Sequence, residues 1–164
     1  MSNIMISADV IDKYWQRMSA RTNDEIAVSL RSLHSRQPAL MLYLMEADKE
    51  NLADKERQYL YYLGCFIVEV MLAETPGIVK VEPDVIFTRR EAGRNMLAFL
   101  GSAQSPEQFA FSMNAVIDAH PQADLFRYVV DICMENAPSY GVRDENIWRL
   151  FAHLKITLDC LQSH

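Results

Sequence analysis

Between Tyr59 and Ala73, fifteen residues long, Glu69 is the only charged side chain. A carboxylate in such a setting can ligate a metal, accept a proton or anchor a cationic ligand. Burying it without a partner is costly. On a helix Gln58, Tyr62, Cys65 and Glu69 follow one another along one stripe. Glu69 and Tyr62 are therefore the candidate binding residues of an internal polar pocket. The plainer reading is a structural ion pair with an arginine from another helix, such as Arg90 or Arg94.

Two other groupings have residue types suited to chemistry. Asp118, His120 and Asp124 surround a helix junction and could meet at a metal. The competing reading makes His120 a cap and the acids helix-start residues. Asn146, Arg149, His153 and Thr157 share a flank of the last helix, read as its hydrated side. Cys160 follows His153 by seven residues, about 10 Å along a helix axis, too far for the histidine to activate it. None of the four histidines is preceded by a glutamate at the Glu-x-x-His spacing of carboxylate-bridged metal bundles. H-E-x-x-H, phosphate-binding glycine loops and G-x-S-x-G are also absent. No cofactor or metal is expected, and the chain leans away from enzymes.

The elements that must position these residues read as helices. Five glycines and six prolines are too few for the turns of a β protein. Ser7 opens an apolar stripe through Val10, Ile11, Tyr14, Trp15 and Met18. Thr22 and Glu25 have capping-box spacing, and Pro38 suits a first helical position. A central helix is expected over about 52–73, stopped by Pro76 and Gly77. Residues 78–87 read as an extended loop or helical turn, with a helix starting at Thr88 and stopping at Gly101. Ser105, Pro106 and Gln108 start another. Two more follow, one with Leu125, Phe126, Val129, Ile132 and Cys133 inward. The other is capped by Asp144 and striped by Ile147, Leu150, Phe151, Leu154, Leu158 and Leu161. The expectation is an all-α fold, one domain over 1–164, with about eight helices around the apolar one.

Fifteen residues with a carboxylate inside fall short of the ~17 to 20 apolar residues a bilayer requires, so no membrane role is expected. Net charge is −6. Arg89, Arg90 and Arg94 form the densest basic spot, too small to suggest nucleic acid or a helix-turn-helix regulator. Three cysteines, an odd number without C-x-x-C spacing, fit a reducing, cytoplasmic setting. The first ten residues lack the pattern of a secretory signal. The leading functional expectation is a non-enzymatic interaction module, homo-oligomeric or partner-binding. Trp15, Tyr14, Tyr61, Tyr140 and Trp148 are its candidate interface anchors. The alternative is a ligand-binding bundle with its pocket at Glu69 and Tyr62.

Overall fold

A computed structural model of the chain describes residues 4–162. Helix α1 spans Ala8–Ser19, α2 Asn23–Arg36, α3 Pro38–Glu46 and α4 Asp54–Glu74. Then come α5 Pro83–Gly101, α6 Pro106–Asp118, α7 Ala123–Asn136, a 3₁₀ turn Asp144–Asn146, and α8 Ile147–Leu161. No strand occurs among the described residues.

The caps follow from local chemistry. The Ser7 hydroxyl accepts from the Val10 N–H, and Thr22 and Glu25 complete a reciprocal capping box. Ser105 accepts from the Gln108 N–H at 3.0 Å, while the Gln108 side chain reaches past it to the Gln104 N–H. Two starts differ from the sequence expectation: α8 begins at Ile147 with Asn146, not Asp144, at its cap, Asp144 opening the 3₁₀ turn instead, and α5 begins at Pro83, not Thr88. Proline at the first turn sacrifices no helical hydrogen bond. Thr88 lies inside the helix, its hydroxyl donating to the Asp84 carbonyl at 2.9 Å.

Helices α4 and α8 pack against each other at the centre. Helices α1, α2, α3 and α7 cover α4, and α5 covers α8, with α6 packing on α5 and α7. Leu60, Leu63, Phe66, Ile67, Val68 and Val70 of α4 are fully buried, as a helix apolar on nearly all sides must be. Among the described residues no helix is long and apolar enough to cross a membrane.

At Gly64, Leu44 of α3 packs directly onto the backbone of α4. A Cβ there would lie 2.5 and 2.7 Å from the two Leu44 methyl groups. Gly64→Ala should gain about 1 kcal/mol of helix propensity and lose roughly 2 kcal/mol to overpacking, a net destabilisation. In a Leu44→Ala background the clash disappears and the same substitution should stabilise. A double-mutant cycle by urea denaturation reads the reversal of sign.

Candidate functional site

Glu69 lies on α4, facing the α1–α2 corner. Its Oε1 accepts from Arg21 Nη1 at 2.8 Å and from the Ser29 hydroxyl at 2.7 Å. Arg21 Nη1 also reaches Ser29 Oγ at 3.2 Å. The partner is Arg21, in the turn after α1, and not Arg90 or Arg94. The second carboxylate oxygen, Oε2, is buried and has no hydrogen-bond partner among the described residues. Such an orphan acceptor is uncommon in a folded protein.

Beside it is a cavity of about 350 Å³ that Glu69 and Tyr62 both line. Its apolar walls come from Met18, Ile26, Leu30, Leu33 and Tyr61. Three helices meet here because Ser29 and Leu30 lie on the inward side of α2, while Tyr62, Cys65 and Glu69 share one stripe of α4. The arrangement can take an apolar body beside a carboxylate whose second oxygen lacks a donor. Burial pushes the Cys65 thiol up to about 12, with the nearby Glu69 charge adding to the rise against a Tyr61 hydrogen bond. At neutral pH this thiol is not a nucleophile.

The five aromatic residues proposed as interface anchors are dispersed. Trp15 meets Phe66 edge-on at 5.1 Å and Tyr62 at 5.8 Å. Tyr14 donates to Glu74 Oε2 at 2.6 Å, and the Tyr61 hydroxyl meets His34 Nε2 at 2.7 Å. Trp148 carries the Arg149 guanidinium over its ring at 4.5 Å. These four are half-buried and packed against the core. Tyr140 is exposed and stacks on Tyr59 with ring centres 4.4 Å apart.

Asp118, His120 and Asp124 are not brought together as a site. Asp118 pairs with Arg127 at 2.8 Å. His120 accepts the Gln122 N–H on Nδ1, as a cap, and meets Asp159 through Nε2 at 2.8 Å. Among the described residues no group of three or more His, Cys, Asp or Glu side chains is placed to hold a metal ion.

The flank of α8 requires a correction. Asn146, His153 and Thr157 are buried, not hydrated, and Arg149 is half-buried. His153 Nε2 lies 3.1 Å from Asp48 Oδ2, and Nδ1 lies 2.6 Å from the Tyr43 hydroxyl. A carboxylate can only accept, so Nε2 carries a proton toward Asp48, and Nδ1 is taken up by the Tyr43 hydroxyl. Asp48 also takes Asn51 Nδ2 at 2.7 Å and Arg149 at 3.4 Å. The His153 hydrogen bond is the largest influence on Asp48, and it holds this carboxyl far below the usual carboxylate range against the opposing effect of burial.

The sequence reading missed the least exposed carboxylate among the described residues, Glu56, whose side chain has no accessible surface. It accepts from the backbone N–H groups of Ala53 and Arg143, from the Arg143 guanidinium, and from Asn146 Nδ2, all at 2.8–3.4 Å. Two buried glutamines were missed as well. Gln37 accepts from the Val81 N–H and donates to the Val79 carbonyl. Gln122 does the same for Ile6 and Ile4. The three residues hold backbone far away in sequence and belong to the scaffold.

No protein-family model, no curated protein and no solved structure matches this chain.

Proposed function

We propose that this chain is a non-enzymatic binding protein whose α1–α2–α4 cavity takes a small, mainly apolar molecule bearing one hydrogen-bond donor. The orphan Oε2 of Glu69 beside that cavity carries the reading. The volume and the apolar walls with few polar groups are those of ordinary ligand sites. The chemistry of the donor follows from Arg21. Because its guanidinium already neutralises the carboxylate, a second cation gains little, and a neutral hydroxyl or amide N–H is the better match.

The test compares 2-naphthol with 2-methoxynaphthalene, which has the same body without the donor. Binding is read through Trp15 emission, since Trp15 lies against Tyr62. A hydrogen bond to a charged acceptor contributes roughly 1.5–3 kcal/mol, so 2-naphthol should bind at least about tenfold tighter. Glu69→Gln should shrink that preference while leaving the helical circular dichroism intact. Leu30→Trp, which fills the cavity, should abolish binding of both compounds. Equal binding of the two by the wild type would overturn the proposal.

A second reading, an interaction module or homo-oligomer, draws on one observation. Phe87 and Phe99 of α5 and Phe111 of α6 are 63%, 54% and 78% exposed, and large apolar side chains left in water favour association. Native mass spectrometry at micromolar concentration tests it: a dimer supports the reading and a monomer removes it. We place the protein in a reducing, cytosolic setting, a proposal supported by three free, buried cysteines.

A further inference from the structure

The basic spot on α5 and the polar flank of α8 face each other across a second cavity, of about 520 Å³. Arg90 and Arg94 from α5 line it together with Arg149, Trp148 and His153 from α8 and Asp48 from the turn after α3. We propose that this cavity binds a small organic oxyanion, a phosphate monoester or carboxylate whose body rests on the apolar part of the wall.

The charge inventory is the first argument. Three guanidiniums line the cavity against two carboxylates, Asp48 and Glu91. Asp48 is committed to Arg149 and His153, and Glu91 to Arg94 at 3.0 Å on the same helix. Arg90 has no carboxylate partner among the described residues and lies over the Tyr43 ring at 5.7 Å. An excess positive charge therefore faces this cavity, on a protein whose net charge is −6.

Preorganisation is the second. Arg149 is fixed between the Trp148 ring and Asp48. Trp148 is in turn seated against Gly101, where a Cβ would lie 3.3 Å from the indole. His153 is locked by Tyr43 and Asp48 and offers no free proton, so the anion must be held by guanidinium forks, whose geometry matches phosphate and carboxylate. The cavity is larger than a bare phosphate, and Ala98, Gly101 and Ile156 supply an apolar remainder, which argues for an organic body. This site shares no residue with the Glu69 cavity.

Phenyl phosphate and inorganic phosphate are titrated separately into the full chain, following the indole N–H resonance of Trp148 by NMR. Phenyl phosphate should give a saturable shift, with weaker binding at high salt. Arg90→Gln should weaken it about tenfold, the loss of one charge-assisted contact. Arg90→Lys, which keeps the charge and loses the fork, should fall between. Arg127→Gln on α7 should change nothing. A shift that does not saturate in the millimolar range, an unchanged affinity in Arg90→Gln, or equal binding of inorganic phosphate would each overturn the proposal.

Discussion

Glu56→Ala should lower the free energy of unfolding by roughly 4 kcal/mol, within the range for removing one partner of a buried charge network and a large fraction of the ~5–15 kcal/mol that holds a domain together. The carboxylate ties the first turn of α4 to the 137–146 loop and the entry of α8, so its loss frees two elements at once. Arg143→Ala should cost much less than Glu56→Ala, because its side chain is half exposed and its backbone N–H still donates. Acid should reproduce the loss. Burial raises the Glu56 pKa, but hydrogen bonds from Arg143, Ala53 and Asn146 outweigh it and bring it down to about 2 from an ordinary 4.5. A carboxyl depressed on folding stabilises fully above its unfolded pKa, and the contribution is lost as pH falls through the folded value. The gap between wild type and Glu56→Gln in urea denaturation should therefore be constant near neutrality and close between about pH 4.5 and 2. A gap unchanged at pH 3 and below would contradict the assignment.

Phe66→Ala should cost roughly 3–5 kcal/mol through lost burial and the cavity left behind. Phe66 has no exposure and lies between Trp15 and Tyr128. Removing it also deletes an edge-on aromatic contact of the kind that contributes roughly 0.5–1.5 kcal/mol. Two measurements check this. The urea midpoint should drop, and Trp15 emission, isolated in a Trp148→Phe background, should shift to the red as its apolar neighbour disappears. Stability within 1 kcal/mol of wild type would mean that α1 and α7 collapse into the space.

Helix α4, which carries both Glu56 and Phe66, shows what was legible in the sequence. Periodicity identified α4 as the buried helix because an apolar surface on all sides has no other place in a folded chain. Glu69 was conspicuous because its neighbours in sequence are apolar. Glu56, flanked by Lys55 and Arg57, looked like an ordinary surface residue. Yet Glu56 is the fully buried one, and Glu69 retains 16% of its side-chain surface. The difference lies in partners 87 and 90 residues away, Arg143 and Asn146, which local pattern does not encode.

The α8 flank failed for a related reason. Asn146, His153 and Thr157 are polar, so helical patterning assigned them to water. Each has a specific partner: Glu56 for Asn146, Tyr43 and Asp48 for His153, and the His153 carbonyl for Thr157. Polar atoms satisfied inside the protein can be buried at little cost. The start of α5 was misplaced because Thr88 and Glu91 imitate a capping box five residues inside a helix that Pro83 had already opened.

The glutamine tethers bear on how the chain is made. Gln122 secures residues 4 and 6 near the start of the chain, across 116 residues from its nearer partner. A ribosome adding about 5–20 residues per second needs roughly 6–23 s to travel that distance. Throughout that interval the N-terminal segment has no Gln122 to close on, and the α4 end has no Arg143 or Asn146. Apolar helices are thus finished well before their anchors exist. The newborn chain therefore carries the apolar α4 through that interval before its anchors, and then its central partner α8, exist, the period in which a chaperone has most to protect.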